Sequence, residues 1–286
     1  MLDPELVRRL VSSMQRVSSL PVTVKCRIGV DAQDSYDQLK TFIHTVSGSG
    51  SSVRKFIIHA RKCHLKGLNP KQNRDVPPLR YDVVHDLVRD FPDLTFILNG
   101  GILTLEEGRT HMEGGDGHPR WDHPVAGVMI GRAVINNPLL LANADSTFFG
   151  KKDTCVSRRR VIASYLDYCE WAQSDEGPKR RAVSGRVQQA TTSLLLKPVH
   201  NLCSGLQNNA RFKVLMNDLY VHGVRGGDPN PSPRGIVEGA LSCLNDEELD
   251  APIGNGYSGS NATSLKRRVE VEEETKEDIG NHIIPS

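Results

Sequence analysis

The chain runs to 286 residues with 38% hydrophobic and 24% charged content, enough for one sizeable core and a smaller second domain. No apolar run approaches the roughly 20 residues that span a bilayer. Residues 1–9 read as an amphipathic helix rather than a signal peptide, and six cysteines without a CxxC pair point to reduced thiols, which sets aside secreted, membrane-spanning and metal-centred classes. The net charge of +2 hides a sorting along the chain: residues 51–80 hold eight Lys/Arg against one acid, residues 151–215 twelve against five, and residues 246–286 four against ten. Basic zones of this kind suit either a solvated surface or a polyanion.

Four short β-rich runs recur at residues 22–27, 56–61, 95–99 and 127–130, each followed by a helical pattern. That rhythm predicts an α/β fold with parallel strands covered by helices. Residues 35–46 and 81–91 carry apolar side chains at helical spacing, and Thr104 with Glu107 forms the capping-box pattern that opens a third helix. The stretch GGDGHPRWDHP at 114–124 interrupts the rhythm and reads as an exposed loop. His118, Asp122 and His123 lie in it, but no helix or strand orients them around a metal.

After Phe149 the period becomes helical. Val161, Ile162, Tyr165, Leu166 and Cys169 form one stripe, Phe212, Leu215, Met216 and Leu219 another, and residues 186–202 read as a further helix kinked at Lys197-Pro198. From Pro229 the composition turns to Pro, Gly and Ser, then to an acidic cluster of Glu270, Glu272, Glu273 and Glu274. Such a segment buries little surface, so disorder is expected over residues 246–286. Asn261 opens a glycosylation sequon that, without a secretory route, is a chance match. The expected organisation is a β/α unit over residues 1–150, a small all-α domain over 151–245 and the acidic tail.

Side chains alternate along a strand, so Lys25 and Arg27 share one face while Val22, Val24 and Cys26 share the face that meets the helices. The same alternation puts Ile57, His59 and Arg61 on the inner face of the second run. Charges placed there are costly without a ligand or partner. The third run ends in Asn99-Gly100-Gly101 and the fourth in Gly131-Arg132. Glycines at a strand-to-helix turn either permit a tight turn or let backbone N–H groups approach a phosphate, a site that β/α barrels commonly build after their last two strands. With Lys25 and His59 on the same rim, the ligand reading is the stronger.

These residues, VKCRIG at 24–29, HARK at 59–62, NGG at 99–101 and GVMIGRA at 127–133, resemble the tRNA-dihydrouridine synthases. The connecting segments DSYDQL at 34–39, LKGLNPKQNRDVPPLRYD at 65–82 and RDFPDLTFILNGGI at 89–102 resemble the A-type, or tRNA-dihydrouridine(20/20a) synthase, branch. The likeness is strong over residues 2–149 and weaker through LLLKPVHNLCSGLQNNARFK at 194–213. It implies an FMN enzyme that takes electrons from NADPH and reduces C5=C6 of a D-loop uridine in tRNA. Carried over by motif, it implies FMN contacts at Lys25, His59, Asn99, Gly100, Gly101, Gly131 and Arg132, with Lys25 near the pyrimidine edge and Arg132 on the phosphate. It further implies tRNA contacts at Arg61, Lys62, Lys71, Arg74, Arg211 and Lys213.

Against the family pattern, four strands form only the C-terminal half of a TIM (β/α)8 barrel, and none of the cysteines lies in the motif that bears the family's proton donor. Cys26 faces the helices and Cys63 follows the wrong strand. The expectation is therefore weak FMN retention and no dihydrouridine formation by this chain, with a non-catalytic RNA-binding descendant as the alternative. Bare strand edges would favour aggregation or self-pairing, and the oligomeric state stays open. The expected partner is tRNA, with no metal and no membrane, in the cytoplasm or in an organelle if a transit peptide precedes Met1.

Overall fold

The computed structural model describes residues 1–48, 50–114, 122–154, 156–181 and 187–253. Two compact units divide the chain, Met1–Ala133 and Val134–Ser286.

The first unit opens with α1 (Pro4–Arg16), where Asp3 accepts from the Leu6 amide at 2.9 Å and Pro4 occupies a position that needs no donor. Four strands follow, β1 (Val24–Arg27), β2 (Lys55–His59), β3 (Thr95–Asn99) and β4 (Gly127–Met129), in one sheet of order β1-β2-β3-β4 with every pairing parallel. The helices between them are α2 (Tyr36–Ser47), the short α3 (Gln72–Asp75), α4 (Tyr81–Asp90) and α5 (Leu105–Glu113). Such a four-stranded parallel sheet with its helices is half of a TIM barrel.

Alternation sorts the two faces as the sequence predicts. Val24, Phe56, Ile58, Phe96 and Leu98 are buried against Leu39, Ile43, Val46, Val84 and Leu87 of the helices. Phe56 and Phe96 stack there with centroids 6.0 Å apart. Ser35 starts α2 with a reciprocal capping box to Gln38. Thr104 starts α5 by accepting from the Glu107 amide at 3.0 Å, but the Glu107 carboxylate accepts from Leu103 at 2.9 Å, one residue before the expected partner.

From β4 the chain enters α6 (Arg132–Asn136), a 3-10 turn over Pro138–Asn143, and α7 (Ala144–Phe149). The second unit then builds on α8 (Arg158–Gln173), the two-residue antiparallel strands β5 (Arg180–Arg181) and β6 (Val187–Gln188), α9 (Thr192–Leu196), α10 (Asn209–Arg225), α11 (Pro233–Leu241) and α12 (Asp246–Asp250). Ile162, Leu166, Phe212, Met216 and Val237 are buried in one cluster, so both predicted stripes face a core.

Two expectations for this unit are corrected. The helix predicted over residues 186–202 is instead β6, then α9 ending at Leu196, then a 3-10 turn over Val199–Asn201. Pro198 carries no N–H to donate back to Leu194, so the α-helical ladder stops there and gives way to the 3-10 turn, although Lys197 and Pro198 keep helical backbone angles. Residues 246–253, expected to be part of the tail, are instead packed into this unit: Leu249 and Ile253 are buried and the Ile253 amide donates to Val156 at 2.9 Å. Arg159 pairs with Asp250 at 2.7 Å and also with Asp246. Acidic residues that read as tail thus form a helix held by a basic partner. The rest of that tail, Asn261 and the Glu270–274 cluster included, lies outside the described residues, as does His118. Among the described residues no helix is long and apolar enough to cross a membrane.

Candidate functional site

Parallel register builds the site. Arg27 stands opposite His59, His59 opposite Asn99, and Asn99 opposite Met129, so the last residues of the four strands form one row. One pleat back on the same face lie Lys25, Ile57, Ile97 and Gly127. Lys25 is exposed on this open face, with its ammonium pKa drawn down chiefly by partial burial.

His59 occupies the centre of the row. Burial, then Arg27, Lys25, Arg61 and Arg132, lower its imidazole pKa from 6.5 to about 4. Its ring is therefore neutral in a ring of cations, and the surplus positive charge suits an anion. Asn99 donates from Nδ2 to the Met129 carbonyl at 2.8 Å, tying β3 to β4 at the mouth.

Both glycines after β3 have positive φ, 113° at Gly100 and 73° at Gly101. A Cβ on Gly100 would lie 2.5 Å from the His59 ring, and one on Gly101 2.4 Å from Leu79 and 2.7 Å from the Tyr81 hydroxyl. A Cβ on Gly131 meets nothing within 4 Å, so that turn is open. This row of donors fits a phosphate-bearing group: a cationic mouth, two left-handed glycines and an open third turn.

The arginines are engaged differently from expectation. Arg27 donates from Nη1 to the carbonyls of Lys62 at 2.8 Å and Asn73 at 2.6 Å. Arg61 is half-buried and donates to the carbonyls of Asp75, at 3.0 Å, and Pro77. Arg132 pairs with the Asp75 carboxylate. Three strand ends thereby clamp the loop of residues 62–78. Inside it Asn73 and His64 bond reciprocally, His64 N to Oδ1 at 3.0 Å and Nδ2 to the His64 carbonyl.

Of the residues expected to meet a polyanion, Lys71 and Arg74 are exposed on this loop and Arg211 on α10. Lys62 pairs with Asp34 at 3.0 Å, and Lys213 donates to Asn201 at 2.9 Å. Arg61 faces inward. Sequence reasoning missed Asp75 and Tyr81, both within a quoted motif but without side-chain chemistry that announces a role.

Cys26 lies on the helix side of β1, where burial pushes its thiol up to about 12. Cys169 and Cys203 are buried in the second unit. A cavity of about 380 Å³, lined by Gln15, Leu20, Thr23, Lys55 and Thr95, lies at the opposite ends of the strands and takes no part in the row.

A family model described as Dihydrouridine synthase (Dus) matches residues 1–220. The tRNA-dihydrouridine(20/20a) synthase of Shewanella oneidensis is 46% identical over 170 residues, 59% of this chain and 47% of that protein. That of Escherichia coli K12 is 47% identical over 168 residues, 59% of this chain and 46% of its own length. That of Pseudomonas putida is 40% identical over 217 residues, 76% of this chain and 57% of its own length. The chain spans about half the length of the curated relatives it matches.

Proposed function

The chain belongs to the dihydrouridine synthase family, and on that premise we propose that its row of strand ends is the flavin-phosphate grip of a tRNA-dihydrouridine synthase. The observation that carries this reading is the neutral His59 among four cations, beside the Gly100-Gly101 turn. Lys25, His59, Asn99, Gly100, Gly101, Gly131 and Arg132 would hold FMN. When bound, FMN supplies the hydride that reduces C5=C6 of a tRNA uridine, with NADPH as its reductant.

The residues act by binding and orientation. Lys25 brings a cation to the flavin side of the face, and the turns at Gly101 and Gly131 bring backbone donors to the phosphate. Arg132, paired here with the Asp75 carboxylate, would supply a charge-assisted donor to the phosphate. Lys71, Arg74, Arg211 and Lys213 would meet the tRNA backbone, as their exposure or shallow pairing supports. Arg61 and Lys62, the other two expected tRNA contacts, are engaged within the protein, Arg61 with the carbonyls of Asp75 and Pro77 and Lys62 with Asp34, and would reach tRNA only by leaving those partners.

The test is equilibrium binding of FMN and of riboflavin, which lacks the phosphate, followed by flavin fluorescence on the purified chain. FMN is expected to bind about tenfold or more tighter, a margin typical of charge-assisted phosphate bonds, with inorganic phosphate competing. Equal affinity for the two would sink the reading.

A second reading, an RNA-binding relative without turnover, has one observation in its favour. Cys26 points to the helix side of β1, away from the open face of its own sheet, so it offers that face no proton. Incubation with NADPH and unmodified tRNA, followed by nucleoside analysis for dihydrouridine, separates the two.

A further inference from the structure

On the helix side of the Gly100-Gly101 turn runs a line of polar contacts that the grip by itself leaves without a purpose. Tyr81, the first residue of α4, donates its hydroxyl proton to the Gly100 carbonyl at 2.8 Å. The ring of His111, on α5, stands edge-on to Tyr81 with centroids 4.7 Å apart. His111 and His85 are 1% and 0% exposed and meet Nδ1 to Nε2 at 3.1 Å, and His85 Nδ1 lies 2.8 Å from the His123 carbonyl.

A carbonyl only accepts, so His85 donates from Nδ1. A neutral His85 ring then accepts, at Nε2, the Nδ1 proton of His111. Both tautomers are thus fixed, and the ring behind Tyr81 cannot turn without breaking a buried bond. Glu107 from α5 and Arg61 after β2 are the charged groups that also act on Tyr81. Leu79 closes the other side of the turn, against both glycines.

Such a buried polar line is costly unless its members are satisfied, and here it ends on the His123 carbonyl at one side and on the Gly100 carbonyl at the other. The geometric consequence follows from peptide planarity. In a trans peptide C=O and N–H point in opposite directions, and the chain has no cis bond here. Holding the Gly100 carbonyl toward Tyr81 therefore aims the Gly101 N–H away from it.

We infer that Tyr81, seated on the His85–His111 pair, is a positioning residue that sets the Gly100–Gly101 peptide so that the Gly101 N–H faces the ligand phosphate. This rests on the reading of the turn as a flavin-phosphate grip. Sequence alone could not single out Tyr81, because its partner is a carbonyl 19 residues away.

Tyr81→Phe removes the hydroxyl and keeps the ring. The variant is expected to lose about tenfold in FMN affinity, the scale of one buried hydrogen bond, with riboflavin affinity and melting temperature held near wild type. A merely structural role would move both flavins together, and such parallel loss, or no loss, overturns the inference. Tyr36→Phe, which removes a remote phenol bond to Asp90, is the control and should change neither affinity.

Amide hydrogen exchange over residues 99–103 reads the peptide directly. Tyr81→Phe should speed exchange there and leave β1 and β2 protected, whereas wild-type rates overturn the inference whatever the flavin data say. If wild-type chain binds FMN and riboflavin alike, the proposed function fails on its own, and exchange alone decides the role of Tyr81.

Discussion

His59 and His111 reach the same lowered pKa, about 4, by different routes. Four cations reinforce burial at His59, whereas at His111 burial acts with His85. In both cases the folded value lies below the ordinary 6.5, so the stability each confers is fully present above pH 6.5 and is lost as pH falls through about 4. For the buried His111 the loss is on the order of 3 kcal/mol, and for the more accessible His59 it is smaller because solvent screens it. Urea midpoints measured from pH 8 to pH 4 (roughly the span of both titrations) should fall on the acid side, and His111→Leu should flatten the fall. An identical slope in the variant would show that other groups carry it. Period-2 alternation made the shared face of Lys25, His59 and Asn99 legible. The engagement of Arg27 and Arg61 was not, because a backbone carbonyl exists at every position and leaves no mark in the sequence.

At the level of elements, the loop of residues 62–78 is the part whose order depends most on the strands beneath it. Arg27 holds it at Lys62 and Asn73, Arg61 at Asp75 and Pro77, and Arg132 at Asp75. Arg27→Met keeps the stem and removes the donors. It should expose Lys66, Lys71 and Arg74 to trypsin, with initial cleavage faster by about tenfold while the strands stay resistant. Unchanged cleavage would mean that the other two arginines suffice. The corrected helix over residues 186–202 teaches a related lesson. Thr192 looks like an ordinary helical residue, yet its hydroxyl bonds Asn230 at 2.9 Å and the Pro231 carbonyl at 2.6 Å. A contact across that sequence distance sets where α9 begins, and local propensity does not report it.

For the whole molecule, the two units raise separate questions. In the first, β1 and β4 are the outer strands of the sheet, and Leu6, Leu10 and Met14 on α1, with Leu2 just before it, are exposed. An exposed apolar stripe of this kind favours association, as do unpaired strand edges. Leu6→Glu with Leu10→Glu should raise solubility and shift light-scattering mass toward that of one chain, 31.6 kDa, and a mass unaffected by the pair would clear the stripe of that role. In the second unit, Leu249 and Ile253 are 0% and 3% exposed. A chain ended after residue 245 should be less stable than one ended after residue 253 by about 3 kcal/mol or more, the scale of emptying such sites, and equal urea midpoints for the two would show that these side chains do not hold the core.

The sequence by itself determined the α/β class, the four parallel strands, the two helical stripes and the family, because periodicity and local motifs are properties of short segments. Tertiary structure alone decided the register that lines up Arg27, His59, Asn99 and Met129, the arginine clamp on the 62–78 loop, the place of α12 in the second core and the bond from Tyr81 to Gly100. Each of these joins residues far apart in the chain through backbone groups or buried surface. Neither has a residue-type signature, so only the folded chain reveals the partner.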